Sequence, residues 1–190
     1  RVVRRRRQMG MRGRPSWVAG GWADSELADS QAAHEKTMTA LLPALSGANI
    51  IYGLGLIELG MTMDYAQLLI DADMAEMVMY SLGGIPVTDQ TLAVDVINNV
   101  GPFKDFLSHK STFEFRKSQS QPRRFNRQVR DTWLKKGGRD LSSVALDKAK
   151  EILENHQPAA LDGATAEALR KLINEAEKAY GVPISGIKAA

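Results

Sequence analysis

The chain alternates short apolar stretches with longer segments in which apolar residues recur every three or four positions. Trp17–Gly20, after Pro15, reads as a short strand closed by Gly20–Gly21. Ser30–Leu45 reads as a helix with Met38, Leu41, Leu42 and Leu45 at helical spacing. Asp29 or Ser30 would cap it and Gly47 would stop it. Asn49–Gly55 is apolar, β-branched and glycine-terminated, the pattern of a buried strand. Tyr65–Leu82 is a second helix, with Leu68, Ala72, Ala75, Met79 and Leu82 on one face and Gly83–Gly84 as its stop. Ile85–Val87 is a short extended piece, and Thr88 caps a further helix through Val100. Strand and helix in this order, with helices of this length, predict parallel α/β units. So few strands cannot close a barrel. Residues 15–101 therefore read as part of an α/β barrel whose other strands lie elsewhere.

The remaining residues, 102–190, are patterned for helices alone. A short helix and turn is predicted over Pro102–Ser111, and a helix over Arg124–Lys136 with Phe125, Val129 and Trp133 on one stripe. Two more are predicted over Leu141–His156 and Thr165–Tyr180. The last has Leu169, Leu172, Ile173 and Ala176 inward and Gly181 as its stop. This part reads as a helical C-terminal extension.

Composition changes the picture in two places. The net charge of +3 conceals an asymmetry: of 25 Lys and Arg, seven arginines lie within residues 1–14, which hold no acid. The rest carries 18 cationic against 22 acidic residues, a net of −4. Residues 1–14 thus form an Arg-rich segment of their own. It could neutralise nucleic-acid phosphates, but it lacks interleaved aromatics. The chain has no cysteine, which excludes disulfides, thiolate nucleophiles and Cys-ligated metal sites. No apolar run approaches membrane-spanning length, and a cytoplasmic protein is expected.

Candidate chemistry gathers where strands end. In an α/β barrel the loops after the strands form the catalytic face. Gly20-Gly21-Trp22-Ala23-Asp24 follows the first strand, and Gly53-Leu54-Gly55-Leu56-Ile57-Glu58 follows the second. Asp24 and Glu58 would be two carboxylates at one mouth, although Asp24 serves equally well as a capping or solvated loop charge. Gly53 and Gly55 would let backbone approach a ligand. Trp22 and Tyr52 could hold a methylated cation against their rings, or simply pack the core. Gln31, in the first turn of the first helix, could reach the mouth. His109 is the best-placed histidine, with a structural hydrogen-bonding role as its alternative; His34 reads as a surface residue and His156 as a helix cap. Three scattered histidines give no metal signature. No phosphate-binding loop or Gly-x-Ser-x-Gly elbow is present.

Two ordered blocks carry a family resemblance. Asp29, Gln31, Glu35 and Lys36 form a D-x-Q-x-x-x-E-K helix, and Gly47-Ala-Asn-Ile-Ile-Tyr-Gly-Leu-Gly-Leu-Ile-Glu58 follows it. Downstream stand Gln121-Pro122, Phe125-Asn126-Arg127, Trp133, Lys136-Gly-Gly138 and Glu151-Ile-Leu-Glu154. From about Pro15 to Tyr180 the chain resembles the C-terminal part of the corrinoid-dependent trimethylamine/glycine betaine methyltransferases. The resemblance implies the last strands of a TIM (β/α)8 barrel, followed by the helical extension. It also implies transfer of a methyl group from trimethylamine or a quaternary amine to Co(I). That corrinoid would be carried by a partner protein, and no cofactor would be bound by this chain directly. Glu58 and Asp24 would then be catalytic; Trp22, Tyr52, Gln31, His109, Gly53 and Gly55 would bind substrate. The intact enzyme is expected to be a homo-oligomer with no nucleic-acid or membrane partner. The competing readings are a non-catalytic interaction module and a nucleic-acid binder using the Arg-rich segment.

Overall fold

A computed structural model describes residues 15–181, so the Arg-rich segment lies outside the described residues. The first elements are strand β1 (Trp17–Ala19), helix α1 (Ser30–Ser46) and strand β2 (Ile50–Tyr52). A small hairpin follows, made of β3 (Leu56–Ile57), a single 3-10 turn (Glu58–Gly60) and β4 (Thr62–Met63). Helix α2 (Tyr65–Leu82) comes next. β1 and β2 pair in parallel, Trp17 opposite Ile50 and Ala19 opposite Tyr52. A parallel pair needs a crossover, and α1 supplies it. Both strands therefore release their following loops at the same edge.

Local signals set the helix ends. Asp29 accepts from the Ala32 N–H at 2.9 Å to cap α1, and Gly47 closes it in the left-handed conformation (φ 91°). Asp64 caps α2 through the Gln67 N–H at 2.8 Å.

The buried faces differ from those the apolar pattern predicts. In α1 the buried residues are Ala32, Lys36, Ala40 and Ala44, whereas Met38, Leu42 and Leu45 are exposed. Small residues let α1 approach α2 and β2 closely. Ala40 and Ala44 form a core with Met74 and Val78 of α2, flanked by Leu41, Ile51, Leu54 and Leu82. In α2 the buried stripe includes Gln67, Ile70, Asp71, Met74 and Val78, and Met79 faces out. Each of the larger buried side chains contributes about 1.5–3 kcal/mol.

Further along lie α3 (Asp89–Leu92), α4 (Val94–Val100), α5 (Lys110–Phe115), α6 (Arg130–Lys135) and α7 (Leu141–Asn155). The helix expected from Thr88 to Val100 is broken at Ala93, which adopts a left-handed φ of 54° between α3 and α4. The helix expected over 124–136 begins only at Arg130, because Arg124 is drawn into a tertiary anchor. Its backbone N–H and its guanidinium both donate to Asp73, each at 2.6 Å, and the guanidinium also reaches the Leu69 carbonyl at 3.1 Å. Ala145 of α7 packs with Ala66 and Ile70 of α2, beside Phe125 and Leu141. The Ser142 hydroxyl donates to the Ala28 carbonyl at 3.0 Å.

Two compact units divide between Glu154 and Asn155. The second contains α8 (Gly163–Tyr180), capped by Asp162 and closed by Gly181. Its Leu169, Leu172 and Ile173, predicted inward, are exposed. Among the described residues, no helix is long and apolar enough to cross a membrane.

Candidate functional site

The loops leaving β1 and β2 meet at the shared strand edge. Main-chain bonds lace them together: Ala23 donates to Leu56 at 3.3 Å, Glu58 to Ser25 at 2.8 Å, and Leu59 to Ala23 at 3.1 Å. Gly53 has φ +111°, a value L side chains rarely adopt, and a Cβ there would stand 3.1 Å from the Gly20 carbonyl and 3.2 Å from the Trp22 Cβ. Gly20 in turn lets β1 sit against α1: a Cβ at Gly20 would fall 2.4 Å from the Thr39 carbonyl. The glycines thus permit protein to approach protein.

Three aromatic rings line this edge. Tyr52 meets Trp22 edge to face with centroids 6.4 Å apart and meets Trp17 at 5.6 Å. Trp22 is half-buried, while Tyr52 is exposed. Trp17, which sequence reasoning placed only in a strand, joins them. Electron-rich faces in this arrangement suit an organic cation.

Glu58 opens the 3-10 turn with a left-handed φ of 53°, followed by Leu59 at 55°. Non-glycine residues held so are strained by about 1–2 kcal/mol each. The Thr62 hydroxyl donates to the Glu58 carboxylate, which stays at the surface. Asp24 is exposed, and its N–H donates to Glu35 at 2.8 Å. The Gln31 amide donates to the other Glu35 oxygen at 2.9 Å. These two bonds, the Asp24 N–H first, hold the Glu35 carboxyl below the usual carboxylate range. Asp29 is lowered likewise, chiefly by the Ala32 N–H and then by the Ser25 hydroxyl.

Beneath the loops lies a buried ion pair. Lys36 of α1 and Asp71 of α2 are 2.8 Å apart, with side chains 0% and 1% exposed. The Lys36 ammonium also donates to the Gly21 carbonyl at 2.8 Å and the Leu56 carbonyl at 2.7 Å. Asp71 accepts from the Gly55 N–H and the Gln67 amide, both at 2.7 Å.

The model of the trimethylamine methyltransferase (MTTB) family matches residues 5–181. The chain belongs to that family. It is 49% identical over 168 residues to trimethylamine methyltransferase MttB of Desulfitobacterium hafniense, and 44% identical to MttB of Methanosarcina barkeri. Each alignment covers 88% of this chain and 34% of the relative. A glycine betaine methyltransferase of Desulfitobacterium hafniense is 32% identical over 171 residues, 89% of this chain and 36% of the relative. The chain thus spans about a third of the length of these family members.

Of the expected site residues, Trp22, Asp24, Tyr52, Gly53, Gly55 and Glu58 come together at the strand edge, and Gln31 joins them through Glu35. His109 does not. It caps α5, its Nδ1 accepting from the Ser111 N–H at 3.2 Å, and it lines a hollow with Asp89, Asp95 and Glu114. Sequence reasoning missed Lys36 and Asp71. The available signal was a single cation, Lys36, at helical spacing within the alanine stripe Ala32, Ala40 and Ala44. Among the described residues, no group of His, Cys, Asp and Glu is arranged to hold a metal ion.

Proposed function

We propose that this chain supplies the C-terminal units of a TIM-barrel methyltransferase. The enzyme would take a methyl group from trimethylamine or a betaine-type quaternary amine and pass it to the Co(I) corrinoid of a partner protein. The observation that carries this reading is 40–49% identity to proteins named trimethylamine methyltransferase over 88% of the chain. A parallel strand pair joined by a helix, with aromatics and carboxylates at the edge where both loops emerge, agrees with it.

Trp22 and Tyr52 would hold the ammonium group by cation–π attraction, worth about 0.5–2 kcal/mol depending on desolvation. Glu58, steadied by Thr62, and Asp24 would add negative charge. The hairpin leaves Leu59, Met61 and Met63 exposed, and its Gly60 lies against the Trp22 ring. When bound, the corrinoid supplies the nucleophile that accepts the methyl group. The C–N bond breaks, its electron pair stays on nitrogen, and a quaternary ammonium, or trimethylamine in its protonated form, leaves as a neutral amine. Positive charge on nitrogen therefore fades toward the transition state. A carboxylate beside it favours the bound cation more than the transition state, so its contribution lies in binding. The protein's remaining task is to orient the methyl carbon and exclude water.

The test is Glu58→Gln in the intact protein. kcat/KM for the methylated amine should fall at least about tenfold, roughly 1.4 kcal/mol, chiefly through KM, with folding retained. Wild-type kcat/KM would remove Glu58 from the site.

A further inference from the structure

We propose that Lys36 and Asp71 form a positioning pair that sets the two site loops relative to each other; this rests on the methyl-transfer reading of that site. Four segments converge on the pair. The Lys36 ammonium gives its three N–H bonds to Gly21 in the loop after β1, to Leu56 at the start of β3, and to Asp71 of α2. The same Asp71 oxygen that receives Lys36 takes the Gly55 N–H, and its other oxygen takes Gln67. Every donor position of the ammonium is used, all at 2.8 Å or less, and nothing of the side chain is exposed.

A purely structural role explains this poorly. α1 and α2 already pack through Ala40, Ala44, Met74 and Val78. A buried ion pair is commonly no more stabilising than an apolar pair of the same volume, because desolving two charges offsets their attraction. What the charged pair adds is direction. Three bonds tie the loops to the pair: the Gly21 and Leu56 carbonyls to the Lys36 ammonium, and the Gly55 N–H to the Asp71 carboxylate. Gly21 adjoins Trp22 on one loop, and Gly55 and Leu56 stand two residues from Gly53 and Glu58 on the other. The position of the aromatic faces relative to the Glu58 carboxylate is thereby referred to one buried ion pair. Both side chains are buried beneath the loops, so the pair acts through the loops and not on substrate.

The test is the double variant Lys36→Met/Asp71→Asn in the intact protein. It removes both charges together, leaves no uncompensated buried ion, and keeps an oxygen for the Gly55 N–H. The Gln67 amide can turn over to face the new Asn. The control is Arg124→Met/Asp73→Asn, which neutralises a partly buried pair, the one anchoring Arg124 to α2. In the Lys36 variant, hydrogen exchange should quicken at least about tenfold at the amides of residues 21–25 and 55–59, while α1 and α2 exchange as in wild type. With trimethylamine or glycine betaine and reduced corrinoid protein, kcat should fall on the order of a hundredfold, the scale of a small misplacement, and KM should rise because the loops carry the cation-binding Trp22 and Glu58. The control should show neither effect. Unaltered loop exchange would overturn the proposal whatever the turnover. Quickened exchange with wild-type kcat would also overturn it, as would equal loss in the control. Absence of turnover in wild type would instead sink the methyl-transfer reading, with the loop tether still read by exchange.

Discussion

Lys36→Met alone gives the sharpest stability prediction. The substitution leaves the Asp71 carboxylate 1% exposed with only the Gly55 N–H and the Gln67 amide as partners. It also takes a donor from the Gly21 and Leu56 carbonyls, although Leu56 keeps the Ala23 N–H. Methionine replaces most of the apolar stem, so the cavity term is small and the unpaired buried charge dominates. Breaking a buried pair in this way costs about 3–5 kcal/mol, a large part of the roughly 5–15 kcal/mol that holds a domain folded. Adding Asp71→Asn removes the stranded charge and should return the exchange of α1 and α2 to that of wild type, a non-additive recovery. The assay is native-state hydrogen exchange at the amides of α1 and α2, which reads local free energies without requiring a long chain to unfold in one step. A single variant within about 1 kcal/mol of wild type, or a double variant no better than the single, would refute the reasoning.

Other outcomes follow from the same geometry. Gly53→Ala should cost at least about 2 kcal/mol, because φ +111° and the neighbouring Gly20 carbonyl and Trp22 leave a methyl group nowhere to go; thermal unfolding at an unchanged midpoint would count against it. Leu59→Gly should raise stability by about 1 kcal/mol, since the side chain is 66% exposed and its φ of 55° is left-handed; a lower melting temperature would contradict the strain. Asp29 and Glu35 have lowered carboxyl pKa values in the folded state. Their stabilising contribution is therefore complete above the ordinary carboxylate range near about pH 4 and is lost as pH falls through the lowered values. Carboxyl-carbon NMR titrations should show both midpoints below those of model peptides, and midpoints at or above the peptide values would refute the caps.

The parts of the fold legible in the sequence are those fixed by local chemistry. Asp29, Gly47 and the run Tyr65–Leu82 mark α1 and α2 because caps and glycine stops act within a turn or two. The hairpin at 56–63 escapes the pattern because each strand is two residues long and its turn depends on left-handed Glu58 and Leu59. Ala93 breaks its helix with no glycine or proline to signal it. Arg124 leaves its predicted helix for Asp73, 51 residues away in sequence, which no local window reports. The buried face of α1 was misjudged for one reason. Large apolar residues suggest the inward side, yet alanines face the partner helix and admit Lys36. At the site, the meeting of the two loops was legible from parallel strand order. The ion pair beneath them was not, because a lysine in a helix ordinarily faces water.

The most direct test of the central claim is single-turnover methyl transfer by the intact protein, with trimethylamine and glycine betaine each offered alongside reduced corrinoid protein and the loss of Co(I) absorbance followed. The account predicts demethylation of at least one of these amines, weakened by Glu58→Gln. No transfer from either amine by a folded protein would contradict it.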